Sequence, residues 1–179
     1  MFYISEIHTT PPDMFSTPLQ RETYQILQKL RIPFQRVDTD EAITMEDCML
    51  INRKLSMKMV KTLFLCNRQQ TDFYLLITTG DKKFNTKAFS NSLHIPRVSF
   101  APAATMEQML GTRIGAATVF SALLDTAQCV KIVFDKDVAA EEWYGCSDGT
   151  TTGYVRLKTT QIIQEFLPCT GHIPAIAEV

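Results

Sequence analysis

No apolar run in this chain approaches the ~20 residues that a helix needs to cross a bilayer. The N-terminus, Met1-Phe2-Tyr3-Ile4-Ser5-Glu6-Ile7-His8, lacks the basic start and long apolar stretch of a secretory signal. The expectation is a cytoplasmic protein that neither spans nor coats a membrane. Five cysteines form no CxxC pair and have no histidine at metal spacing. Their odd number, with no secretory signal, fits reduced thiols. Cys66 and Cys129 fall in apolar strand-like runs, where a free cysteine behaves as a small hydrophobe. The common catalytic signatures are missing too: GxSxG, the P-loop, GxGxxG and HExxH. The three histidines, His8, His94 and His172, are scattered, and the last two each precede an Ile-Pro pair, as loop residues do. The acidic stretch from Asp38 to Asp47 matches no EF-hand and reads as a solvated loop. No metal site is expected. A net charge of −1 excludes a protein that coats DNA or other nucleic acid non-specifically. There is no internal repeat and no low-complexity run.

What is present suits one soluble domain: 179 residues, 45% hydrophobic and 21% charged. The most structured stretch runs from Met59 to Gly80. Two segments rich in β-branched, aromatic and leucine residues flank Asn67-Arg68-Gln69-Gln70-Thr71-Asp72, which predicts a hairpin. Alternation places Met59, Lys61, Leu63 and Leu65 on one face and Val60, Thr62, Phe64 and Cys66 on the other. Lys61 therefore stands in an apolar row. Such a lysine either snorkels to water at the strand's open end, the commoner outcome, or is held in a pocket for a purpose. Between Arg53 and Arg97 nine basic residues face two acids, about +7 by that count, enough to attract a phosphate chain at short range. The acids gather in 38–47 and 135–142, and two solvated faces of opposite sign explain the charge pattern equally well.

Read in order, residues 1–17 form an irregular lead-in before a domain over 18–179. Thr17 caps and Pro18 opens a helix to about Arg31. A strand covers Phe34 to Val37. Thr44-Met45-Glu46-Asp47 is a capping-box form that opens a helix to about Lys54, with Met45, Cys48, Met49 and Leu50 inward. After the hairpin, Asn85 caps a short helix that buries Ala88 and Phe89. Arg97 to Phe100 is a short strand. Thr105-Met106-Glu107-Gln108 is a second capping-box form, opening a helix that Gly111 ends. Gly115-Ala116-Ala117-Thr118-Val119-Phe120 begins with residues of almost no side chain, where a backbone can come close to a ligand; a tight turn before a strand is the plainer reading. Strands follow at 129–134 and 150–157, with a turn and some helix at 135–142. A last helix, capped by Thr159 or Thr160, turns Ile162, Ile163, Phe166 and Leu167 inward. Gly171 stops it, leaving a tail. Irregular interleaving with hairpins predicts an α+β domain built on a central mixed, mostly antiparallel sheet flanked by helices.

Taken in order and spacing, Lys61-Thr62-Leu63-Phe64-Leu65, Phe73 to Ile77, Arg97 to Ala101, Leu110-Gly111, Gly115 to Phe120, Val130 to Asp137, Thr151-Thr152 and Phe166 to Pro174 resemble the YbaK/prolyl-tRNA editing family. The likeness covers about residues 19–176 and is greatest to the free-standing alanyl-tRNA(Pro) deacylases. It implies a YbaK-like aminoacyl-tRNA editing domain, without metal or cofactor, that hydrolyses the ester of a mischarged tRNA and receives the tRNA acceptor end, with prolyl-tRNA synthetase as a further candidate partner. The family lysine falls on Lys61, its helix-start threonine on Thr44, its Gly-x-x-x-Pro loop on Gly115, Ala116, Ala117, Thr118 and Val119, and its late Asn-x-x-Thr-Thr segment on Asp148 to Thr152, with Thr151 in it. Thr62 follows the lysine.

The implied chemistry is simple. An aminoacyl ester is already activated, so a cation and backbone N–H groups can hold its carbonyl while water attacks. Lys61 is then an electrostatic anchor, and Thr44, Thr62, the 115–119 loop, Asp148 and Thr151 contact substrate. Four positions depart from the family: Val119 replaces a proline, Thr62 an asparagine, Leu124 the asparagine before the retained Asp125, and Asp148 an asparagine, the last exchanging an amide donor for an acceptor-only anion. These departures leave two alternatives beside alanyl-tRNA(Pro): a deacylase for cysteinyl-, seryl- or threonyl-tRNA, and a non-catalytic module that binds tRNA or an amino acid.

Overall fold

Thr17 and Pro18 open the first helix as expected. In the computed structural model, which describes residues 1–179, α1 spans Pro18–Lys29, and the Thr17 hydroxyl accepts from the Gln20 N–H that the helix start leaves orphaned. β1 (Gln35–Asp38) follows. α2 (Met45–Leu55) begins on a complete capping box: Thr44 Oγ1 accepts from the Asp47 N–H, and the Asp47 carboxylate accepts from the Thr44 N–H. β2 (Val60–Cys66) and β3 (Phe73–Thr79) form the expected hairpin, with Val60 opposite Thr79 and Cys66 opposite Phe73. The Asn67 side chain ties its loop by accepting from the Thr71 and Asp72 N–H groups. α3 (Thr86–Leu93) is capped by Asn85. There follow β4 (Ser99–Phe100), α4 (Ala103–Leu110), 3-10 turns at Val119–Leu123 and Asp125–Ala127, β5 (Val130–Asp135), α5 (Lys136–Ala139), β6 (Trp143–Ser147) and β7 (Gly153–Lys158). A helix over 159–169 (α6), π-wound at Ile162–Phe166, precedes β8 (Ala175–Ala177).

The architecture is α+β with a mixed sheet, as the sequence predicts, but the strands divide between two sheets. One has the order β4-β2-β3-β5-β8, antiparallel among β4, β2 and β3 and parallel from β3 through β5 to β8. The other, β1-β7-β6, is wholly antiparallel. A parallel bridge from Met59 to Gly145 joins them. The parallel β3–β5 pair needs a crossover, and α3, β4 and α4 supply it. The alternation in β2 holds. Phe64 and Val60 enter the main core with Leu75, Phe134, Tyr144 and residues of α1, α4 and α6; Leu65 and Leu63 pack on the opposite face with Tyr74 and the Phe89 ring of α3. A third cluster seats Ile51 and Leu55 of α2 on Val37 and Tyr154 of the smaller sheet. The lead-in lies beside β1, through bridges Ile4–Thr39 and His8–Arg36.

Several local expectations fail for physical reasons. In α2 the inward residues are Ile51 and Leu55; Met45 and Met49 are exposed. The helix carries two apolar stripes, and only one meets the core. α4 starts at Ala103 behind Pro102, so Thr105 lies inside it and no capping box forms. Val119 and Phe120 wind into a 3-10 turn capped by Thr118, not a strand. Lys158 stands at the start of α6 without a side-chain cap, and the Thr159 hydroxyl is buried without a partner. The C-terminal tail is strand β8, and Cys129 is exposed where Cys66 is buried.

Candidate functional site

β2 begins beside an open cleft of about 760 Å³. Its walls come from α2 (Met45, Cys48, Met49), the start of β2 (Met59, Lys61), the turn after β3 (Gly80 to Lys82), α5 with its following turn (Asp137, Glu141) and Trp143 of β6. Trp143 stands at the rim with the Arg156 guanidinium stacked 4.1 Å from its ring centre. The Cys48 thiol, half-buried, is pushed up by burial and by the charge of Asp47, which keeps it neutral. The cleft is therefore soft and apolar on one side and charged on the other.

The charges pair off with one exception. Lys58 donates to Glu141 at 2.8 Å. Lys82 donates to Asp135 at 2.6 Å and Asp137 at 2.9 Å. Burial pulls the Lys82 ammonium down, but its carboxylate bonds outweigh that and hold it above the usual lysine value. Asp81 is held below the usual carboxylate range, first by the Thr79 hydroxyl and less by Lys58 and Lys82. Lys61 has no carboxylate partner; its ammonium donates to the backbone carbonyl of Lys82. It is the cation of the cleft with charge left for a visitor. Nowhere do three or more histidine, cysteine or carboxylate side chains gather so that they could hold a metal ion.

Of the residues the sequence singles out, the cleft brings in Lys61 alone, with Thr44 next to its Met45 wall. Thr62 points to the other face of β2. Gly115 is exposed at φ +92 with nothing near its missing Cβ, Ala116 is buried, and Val119 is fully buried in the main core. Thr118 donates to the Ser147 carbonyl at 2.8 Å and accepts from the Phe120 N–H. Asp148, 1% exposed, accepts from Gln20 Nε2 and Tyr24 Oη, each at 2.9 Å, and from the Thr150 N–H and hydroxyl. Burial, followed by the Asp148 charge, keeps the Tyr24 phenol protonated well above its ordinary value. The Thr118 and Asp148 side chains are thus committed to hydrogen bonds within the fold. Thr151 is half-buried and its carbonyl accepts from the Ala42 N–H. The turn and the lysine strand do flank the same strand: Met59 bridges Gly145, and Ser147, two residues on, receives Thr118. The lining of the Lys61 cleft includes no residue of the 115–119 turn.

A sequence model of the aminoacyl-tRNA editing domain matches residues 39–164, more than half of the chain. The chain belongs to the aminoacyl-tRNA editing domain family. Relatives of this editing domain include the prolyl-tRNA editing protein ProX of Acetoanaerobium sticklandii, 28% identical over 112 residues, 63% of this chain and 68% of the relative. The prolyl-tRNA synthetase associated domain-containing protein 1 of Danio rerio is 25% identical over 160 residues, 88% of this chain and 86% of the relative. A solved structure described as a candidate trans-editing enzyme for prolyl tRNA synthetase shares the fold, with a TM-score of 0.63 at 15% identity over 92% of this chain and 99% of that one.

Sequence reasoning missed the rest of the editing-domain cleft: Met45, Cys48, Met49 and Trp143. The signal was available in part. Met45, Met49 and Asn52 recur at helical spacing on a face that Ile51 and Leu55 do not share. Trp143 and Tyr144 carry strand propensity, but Gly145, Cys146 and Ser147 blur the pattern of β6.

Proposed function

We propose that this protein is a trans-editing deacylase that hydrolyses the ester of a mischarged tRNA, with alanyl-tRNA(Pro) as the first substrate to test. Membership of the editing family supports the reaction class, and the observation that carries the site is the Lys61 ammonium on the cleft wall without a carboxylate partner. Water attacks the ester carbonyl carbon; the carbonyl oxygen gathers negative charge that the ammonium stabilises; the bond to the ribose oxygen breaks and that oxygen takes up a proton. The products are a free amino acid and an uncharged tRNA. The amino-acid end of the substrate and its terminal adenosine enter between Lys61 and the methionine wall, where polarisable thioethers adapt to an aromatic ring. Work in the cytoplasm alongside prolyl-tRNA synthetase follows from the same reading.

The test is a panel of mischarged tRNAs. Wild type is expected to release alanine from alanyl-tRNA(Pro), and Lys61→Ala to lose about 10²–10³ of kcat/KM, the scale of one oxyanion donor, with an unchanged melting temperature. Equal turnover in the two proteins rejects the role of Lys61. A preference for cysteinyl-, seryl- or threonyl-tRNA moves the substrate but keeps the chemistry. A second reading has its own support: Thr118 and Asp148 are committed internally, and the 115–118 turn lies outside the Lys61 cleft. On that reading the protein binds tRNA or an amino acid without hydrolysis, and turnover on any member of the panel eliminates it.

A further inference from the structure

The cleft beside Lys61 is charge-balanced: Lys58, Lys61 and Lys82 meet Asp81, Asp137 and Glu141. A phosphate chain gains little net attraction there, so the cations that steer it must stand elsewhere. The basic stretch between Arg53 and Arg97 narrows in the fold, because Lys54 pairs with Glu6, Lys58 with Glu141 and Lys82 with Asp135 and Asp137. Lys87 and Arg97 have no such partner, and they meet in a second cleft of about 450 Å³ between α3 and the segment leading to β4. Thr86, Ser90, Asn91 and Ile95 complete its lining, which includes no acid. Ser90 is 7% exposed, and its hydroxyl is buried with no hydrogen-bond partner. A buried hydroxyl left without a partner is a cost to the fold unless a ligand meets it.

We propose that this cleft binds a phosphate group, with Arg97 and Lys87 supplying charge and Thr86, Ser90 and Asn91 supplying hydrogen bonds. Guanidinium and hydroxyl donors converging on one hollow suit a tetrahedral oxyanion. The phosphate could come from an RNA strand or from a free phosphate; the assignment to RNA rests on the editing reading, the chemistry of the cleft does not. Thr86 follows Lys82 of the first cleft by four residues, at most about 14 Å along the chain, so one strand can reach both.

Amide NMR of residues 86–97 in the whole protein tests the site, with inorganic phosphate in one arm and uncharged tRNA in the other. Saturable shifts in either arm, lost in the Lys87→Ala/Arg97→Ala double variant at unchanged melting temperature, are the expected result, and the arm with the lower midpoint names the source. Both side chains are exposed, so the variant should fold. For RNA, the log–log salt slope should fall by about 0.7–0.9 for each cation removed. Ser90→Ala should weaken binding several-fold without lowering the melting temperature, since no bond within the protein is lost. Unmoved amides in both arms, or shifts that persist in the double variant, overturn the proposal. The two readings separate cleanly: Lys61→Ala should lose hydrolysis and keep the shifts. Hydrolysis without shifts sinks only the phosphate site, and shifts without hydrolysis sink only the deacylase.

Discussion

Replacing Lys82 with methionine isolates the ion cluster behind the Lys61 cleft. The Asp135 side chain is fully buried, and Lys82 retains 28% exposure. Lys82 donates to Asp135 at 2.6 Å, to Asp137 at 2.9 Å and to the Val179 carbonyl at 2.8 Å. Lys82→Met keeps the stem and removes the charge. Asp135 then retains only the Thr78 hydroxyl at 2.7 Å and the Asp137 N–H at 3.1 Å. Stranding one partner of a buried pair costs about 3–5 kcal/mol, and the partial exposure of Lys82 places this case near about 3. At about 2–4 °C per kcal/mol for a chain of this size, the melting temperature should drop by about 6–12 °C. The exposed bond to Asp137 adds little. Thermal melts by circular dichroism, with urea titration as a check, measure the effect. The Lys82→Met/Asp135→Asn double variant, which strands no charge, should recover at least half of the loss. A Lys82→Met protein that melts within about 2 °C of wild type refutes the reasoning, and so does a double variant less stable than the single one.

Gly153→Ala places a methyl carbon 2.3 Å from the Asp148 Oδ2, in a buried site that cannot yield, so it should destabilise by about 1–3 kcal/mol or more and leave little soluble protein. Asp148→Asn restores the family's asparagine, yet four donors converge on this carboxylate; an amide turns one acceptor into a donor, and urea titration should show a loss of about 1–3 kcal/mol. Met49→Ala removes an exposed side chain of the cleft wall; stability should hold within about 0.5 kcal/mol while KM for mischarged tRNA rises. Asp137 is held below the usual carboxylate range, first by its bond to Lys82 and then by that charge, so its contribution is present above about pH 3.9, the unfolded value, and is lost as pH falls through the lower folded one. Lys82, held above the usual value, contributes fully below about pH 10.4 and loses that contribution as pH rises through its folded value. Melts from pH 2 to 5 should show a shallower acid decline in Asp137→Asn, and melts from pH 9 to 12 a shallower alkaline decline in Lys82→Met.

Local chemistry by itself determined the parts whose signals lie within a few residues. Thr17-Pro18, the Thr44–Asp47 box and Asn85 fix helix starts because the capping oxygen and the orphan N–H are neighbours in the chain. The β2–β3 alternation fixes which side chains share a face, and so places Lys61 opposite Val60 and Phe64. Only the tertiary structure decided the rest. Whether an apolar stripe is core or cleft depends on what packs over it, so Met45 and Met49 look the same in sequence as Ile51 and Leu55. Thr118 and Asp148 look like ligands in a motif but meet partners distant in the chain, Ser147, Gln20 and Tyr24, that no local pattern reveals. The same holds for charge. A run of lysines between residues 53 and 97 reads as one patch, yet Glu6, Asp135 and Glu141 are brought to it by the fold, and pairing at 2.6–3.2 Å decides which cations remain to meet a substrate.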